Sequence, residues 1–151
     1  MKILDATAVI AFLSELLCPE ILEELSKYYK LMIPEGVFAE IKKPPGKEML
    51  NTLVKKRTIQ IVKVDQNKAA QLLKEHPQLH LGECEAIAFA MSHNSTSKIY
   101  ILSDDPKARK IFQNFSFSWT EQLFDIMKGK GMIKSEVYDV KYRQKRNSRN
   151  I

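Results

Sequence analysis

Asp5, Glu83, Glu85, Asp104 and Asp105 stand where apolar runs end or helical patterns begin, and their type and spacing point to chemistry. Asp5 closes Lys2-Ile3-Leu4, and the pair Asp104-Asp105 closes Ile99-Tyr100-Ile101-Leu102-Ser103. Glu83 and Glu85 open the helical stretch from Gly82 to Ala90. A short β-branched run ending in Asp reads as a buried strand that delivers a carboxylate to the sheet edge. Open parallel sheets bind ligands outside the carboxyl ends of their strands. Carboxylates gathered there repel one another unless a cation neutralises them, and hard cations such as Mg²⁺ and Mn²⁺ take oxygen ligands. A divalent-metal site at that edge is therefore expected.

Each acid also has a purely structural reading. Asp5, with Thr7 two residues on, suits the N-cap of a helix from about Ala8, and Asp104 or Asp105 suits the cap of a helix that has Pro106 at its first position. Glu83 and Glu85 would complement the positive end of their own helix. The convergence favours the site, because two strands ending in Asp and one helix opening with two Glu exceed what capping requires. At ~100° per residue Glu83 and Glu85 lie about 200° apart. Cys84, Ile87, Ala88 and Met91 make the most apolar stripe. Glu85, on a flanking face with Phe89, is thus expected to be the direct ligand, with Glu83 supporting it from the first turn.

The elements that must position these acids alternate. Strands are expected at 2–5, 31–33, 59–64, 98–103 and 115–118, with helical spacings between them. Ala8-Phe12 and Ile10-Leu13-Leu17 carry one helix, and Ile21, Leu22 and Leu25 a second with Pro19 in its first turn. Lys42-Lys43-Pro44-Pro45-Gly46 must separate two more. Ala69-Leu72-Leu73, Ala108-Ile111-Phe112 and Leu123-Phe124-Met127 supply further apolar faces, and a last helix is expected from Ser135. Such alternation predicts an α/β fold with a parallel sheet of four or five strands covered on both faces.

Length and composition agree. A chain of 151 residues is the size of one domain, with enough core to need no staples. Cys18 and Cys84, in apolar helical contexts, read as reduced packing residues of a cytoplasmic protein. No run approaches a membrane span, so no membrane partner is expected. The net charge of +6 is concentrated in residues 141–151, where Lys141, Arg143, Lys145, Arg146 and Arg149 leave +1 on the rest. That segment reads as a solvated terminus or as a basic arm for nucleic acid phosphates. Residues 1–140 are expected to form the folded domain and 141–151 the tail.

Four segments in order resemble the PIN-domain ribonucleases, in particular the small prokaryotic VapC-like proteins. They are Ile3-Leu4-Asp5-Ala6-Thr7, Val37-Phe38-Ala39-Glu40-Ile41, Leu81 to Ala90, and Leu102 to Arg109; the likeness extends through Trp119-Thr120-Glu121-Gln122-Leu123 to about residue 133. The resemblance implies a single three-layer α/β/α PIN-like domain that hydrolyses RNA with Mg²⁺ or Mn²⁺, leaving a 5′-phosphate and a 3′-hydroxyl. By motif it makes Asp5 the first acid, with Thr7 its companion, and Glu40 the second; spacing alone places Glu40 on a helix surface. Glu85 takes the place of the third acid, normally Asp, in the Gly-Glu-x-Glu-Ala variant. Asp105, two residues past Ser103, is the fourth, with Asp104 adjacent, and Thr120 matches a pocket hydroxyl.

The implied partners are an RNA substrate, a small antitoxin and a second copy of the chain. Lys42 and Lys43, with Arg143, Lys145 and Arg146, are the expected RNA-binding cations. A stand-alone RNA-processing nuclease and a non-catalytic PIN-like binding module are the alternatives; carboxylates left bare beside phosphates argue against the module. A phospho-receiver domain fails on length, since only 46 residues follow Asp105. A haloacid-dehalogenase-type phosphatase gives the Glu pair no role. Neither a Walker loop nor a Gly-x-Gly-x-x-Gly is present, and His76, His80 and His93 are too scattered for zinc.

Overall fold

Strand β1 (Lys2–Leu4) lies at the centre of a five-stranded, wholly parallel sheet in the computed structural model of the chain. Described are residues 1–93, 99–113, 116–118 and 120–131, with the single positions 136, 139, 140 and 143. β1 pairs on one side with β2 (Leu31–Pro34) and on the other with β4 (Tyr100–Leu102). The outer strands are β3 (Ile59–Val62) beside β2 and β5 (Ser116–Ser118) beside β4. The order β3-β2-β1-β4-β5 means that the chain builds outward from β1 in one direction, then returns to start again on its other flank. The gap between the carboxyl ends of β1 and β4 is therefore a topological switch point, where open α/β sheets leave a crevice.

Both faces of the sheet are buried, and side chains alternate between two cores as a strand period of two requires. Leu4, Leu31, Ile33, Ile59 and Leu102 point into one core. It is filled by Ala8, Phe12, Leu13, Ile21, Leu22, Leu25, Leu50 and Leu53 of the helices on that face. Ile3, Met32 and Ile101 point the other way, against Ala69, Leu72, Ile87, Ala90 and Ala108. This is the three-layer α/β/α arrangement expected from the alternation of elements.

The eight helices among the described residues are α1 (Ala6–Ile10), α2 (Pro19–Ser26), α3 (Glu35–Glu40), α4 (Gly46–Lys55), α5 (Gln66–Glu75), α6 (Leu81–His93), α7 (Pro106–Ile111) and α8 (Thr120–Gly129). None is long and apolar enough to cross a membrane. Pro19 and Pro106 open α2 and α7, where a missing N–H costs nothing. The Pro44–Pro45 peptide bond is cis, and α4 starts directly after it.

Two expectations are corrected. The first helix does not run unbroken to Leu17. After α1 the chain widens into a π-helical turn, Ala11–Glu15, closed by Leu16 N–H donating to the Ala11 carbonyl at 3.0 Å. The extra residue in that turn lets Phe12, Leu13 and Leu16 all be buried, while Ser14 meets the start of α4. Leu17 then reverses the chain in the left-handed region, at φ 49°. Nor does α6 carry one apolar stripe. Every residue from Gly82 to Ala90 is buried, because α5, α3 and the sheet enclose the helix, whereas Met91 is 40% exposed. The helix expected from Ser135 begins outside the described residues.

Candidate functional site

Asp5 and Asp105 emerge at the switch point from adjacent strands, and the turns that follow are sewn together by hydroxyls. Asp5 N–H continues the β1–β4 ladder by donating to the Leu102 carbonyl at 3.1 Å. Thr7 Oγ1 donates to Asp5 Oδ1 at 2.6 Å and accepts from Asp104 N–H at 2.9 Å. Ser103 Oγ accepts from Asp105 N–H at 3.1 Å. Asp5 Oδ1 also accepts from Ala8 N–H at 3.0 Å, so Asp5 does cap α1. Asp105 likewise caps α7, accepting from Lys107 N–H at 2.8 Å. The capping reading is correct for these residues, and it leaves room for a site, since each carboxylate has one oxygen for the helix and one to spare.

The spare oxygen of Asp5 is the unusual one. Asp5 is completely buried, and its Oδ2 has no hydrogen-bond partner. Burial pushes the carboxyl up to about 6, against the opposing pull of Ser103, Thr7 and Ala8 and with a small push from Asp104. Glu83 has the same character. Its Oε2 accepts from His80 N–H at 3.0 Å, while Oε1 is buried without a partner. Burial, then the facing Asp105 carboxyl, then Asp5 raise Glu83 to about 8. Glu83 thus faces Asp105 and feels the Asp5 charge as well.

Glu85 leaves α6 on the opposite side. It is buried, and its Oε2 accepts from Gly36 N–H, at the start of α3, at 3.1 Å. Its carboxyl is raised by burial, with the Gly36 N–H opposing and the Glu40 and Glu35 charges adding. Glycine at position 36 lets the Glu85 carboxylate sit this close, because a Cβ there would displace it. Glu40, exposed at the end of α3, reaches toward Gly82, with Oε1 3.3 Å from where a Cβ would stand. The two α6 acids therefore serve two groups, Glu83 with Asp5 and Asp105, and Glu85 with Glu35 and Glu40. This is the ~200° separation of the sequence made concrete, but it puts Glu83, not Glu85, beside the strand aspartates.

A PIN-domain family model, DUF3368, matches residues 1–138. The chain belongs to the PIN-domain family. No curated protein matches it. PIN domains are in general nucleases, and this PIN domain has the sheet and the acidic carboxyl edge on which such a nuclease is built.

Its donors suit a hard divalent cation. They are carboxylate oxygens, two of them buried with no proton donor to satisfy them, and a cation is what would lower the raised values of Asp5 and Glu83. Among the described residues no three Asp, Glu, His or Cys side chains are grouped closely enough to form a ready-made cage. The chemistry of the donors, rather than a preformed coordination sphere, is what fits.

Cys84, between the two acids, is no nucleophile. Burial, aided by Glu83 and Glu85, pushes its thiol up to about 11, so it stays protonated. Gly36 and Glu35 were not singled out from the sequence; a glycine two residues past the strand-ending Pro34 is the signal that allows a close approach there. Lys42 and Lys43 are exposed just beyond Glu40, and Arg143 is exposed. Lys145, Arg146 and the side chain of Thr120 lie outside the described residues.

Proposed function

We propose that this PIN domain is a metal-dependent ribonuclease of the VapC-like branch, acting in the cytoplasm, pairing with a second copy and held in check by a small antitoxin. The buried, unpartnered oxygens of Asp5 and Glu83 beside Asp105, at the switch point of a parallel sheet, carry the catalytic part of this reading. Asp5, Glu83 and Asp105 would hold Mg²⁺ or Mn²⁺, with Asp104 adjacent and Glu85 and Glu40 completing the acidic surround. When bound, such an ion polarises the scissile phosphate and brings the pKa of a water toward neutrality. The chain's own part is orientation. Thr7 and Ala8 hold Asp5 by one oxygen, so that the other stays out of the cap. Ser103 ties the β4 turn, and Gly36 N–H aims Glu85. With Cys84 kept as a thiol, water is the attacking group that fits this site.

A nuclease assay on RNA across a Mn²⁺ and Mg²⁺ titration tests the reading. Activity that needs the ion and is lost in Asp5→Asn is expected; full activity of a metallated Asp5→Asn protein would overturn it. For the toxin assignment, the decisive observation is an adjacent gene for a short DNA-binding protein that binds this chain and silences it.

A further inference from the structure

We propose that the groove beside Glu40 is a subsite for one unpaired nucleotide of the RNA. The inference rests on the ribonuclease reading and names how that substrate is held. The groove has a volume of about 550 Å³, and its lining includes Ile10, Ile41, Pro44 and Pro45, with Lys42 and Lys43. Its remaining lining residues are Ser14 and Glu40.

Three observations converge on a nucleotide. The first is continuity, since Glu40 both lines the groove and reaches the Gly82 turn of α6, where its charge acts on Glu85. The second is charge. A polyanion that approaches carboxylates needs cations close by, and Lys42 and Lys43 are exposed two and three residues after Glu40. The third is the apolar surface. Ile10 is 40% exposed on the outer face of α1, and Pro44 and Pro45 are exposed opposite. Exposed apolar surface in a groove that two lysines also line suits a group that is flat and apolar on its face and anionic at its edge. A duplex offers only phosphates and groove edges there, whereas an unpaired base offers its face.

The local backbone makes the groove. The π-helical turn Ala11–Glu15 brings Ser14 against Gly46, where a Cβ would overlap the Ser14 hydroxyl, and so fixes the proline loop across from Ile10.

The test uses the full-length protein and a short fluorescent single-stranded RNA, with binding followed by anisotropy in EDTA and cleavage followed in Mn²⁺. Ile10→Ser should weaken binding roughly 5–20-fold, the scale of one lost base contact. Lys42→Ala with Lys43→Ala should flatten the salt dependence by about 0.7 in log-log slope for each phosphate contact removed. An abasic residue walked along the RNA should weaken binding at one position by the same factor as Ile10→Ser, and the two losses should not add. Equal affinity of all variants for every RNA would overturn the subsite. So would unchanged RNA affinity in Ile10→Ser together with loss of binding to an acidic, apolar peptide, which would give the groove to a protein partner. If the wild-type protein neither binds nor cuts RNA, the ribonuclease reading itself falls; if it does both and the variants match it, only the subsite falls.

Discussion

Asp5 performs two tasks with two oxygens, and substitutions can separate them. Asparagine keeps the Oδ1 that accepts from Thr7 and Ala8, so Asp5→Asn should fold with its α1 cap intact. It removes a charge whose buried oxygen has no partner in the metal-free protein. Its melting temperature without metal should therefore match or exceed the wild type, while cleavage falls on the order of 10²–10³-fold, the scale of several kcal/mol of lost charge stabilisation. Paired calorimetry and single-turnover cleavage would check both halves. A cap-loss reading predicts the reverse, a large drop in stability.

Protonation belongs to the same scale. Asp5 and Glu83 stand near 6 and 8 in the folded chain, above their ordinary values of 3.8 and 4.5. Between those limits these two groups bind more protons in the folded chain than in the unfolded one, so the stability they contribute is fully present below about pH 4 and is lost as pH rises toward 8. For Asp5 alone the change is of order 2–3 kcal/mol. Urea denaturation in EDTA should give a higher midpoint at pH 5 than at pH 8, and Asp5→Asn with Glu83→Gln should flatten the difference. Millimolar Mn²⁺ at pH 8 should restore stability by binding the native state only, raising the melting temperature by roughly 3–8 °C.

At the scale of elements, α6 decides which acid does what. A helix buried on every side from Gly82 to Ala90 cannot rotate to exchange its faces, so Glu83 is committed to Asp5 and Asp105, and Glu85 to Gly36. Glu83→Gln is expected to abolish most of the Mn²⁺-induced rise in melting temperature, whereas Glu85→Gln should leave much of it. Equal losses from the two would mean that a single ion draws on both sides of the helix. Gly36→Ala probes the second group: its methyl would displace the Glu85 carboxylate and leave that acid buried without its N–H donor. A loss of about 1–3 kcal/mol in stability is expected from urea titration, the cost of a buried group deprived of its hydrogen bond.

Under the proposed ribonuclease function the whole molecule has to attract RNA to an edge lined with carboxylates, and its net charge of +6 would supply the means. Most of that excess lies in residues 141–151. Deleting them should weaken RNA binding and lower its salt slope by about 0.7 for each phosphate contact removed, leaving the rate at saturating RNA nearly unchanged. Anisotropy titrations at several salt concentrations would check this, and an unchanged slope would make the segment a solvated terminus.

Sequence by itself determined the strands, their parallel alternation with helices and the placing of Asp5 and Asp105 at strand ends, because a buried strand writes its length and its end directly into hydropathy. It determined too that Glu83 and Glu85 must diverge, since that follows from helical pitch alone. Which of the two meets the aspartates was decided only in three dimensions. Pattern favoured Glu85, on the premise that α6 has one apolar stripe and an open flank; the packing of α5, α3 and the sheet around it removed that flank. Glu35 and Gly36 became visible only when α3 was seen to bring its first turn to α6, 49 residues away in sequence. The groove beside Glu40 is of the same kind, because the π-turn and the proline loop that form it are unremarkable separately and acquire meaning only by facing each other. Local pattern encodes what each segment is, whereas the sites arise from long-range contacts that close-packing of the whole chain selects.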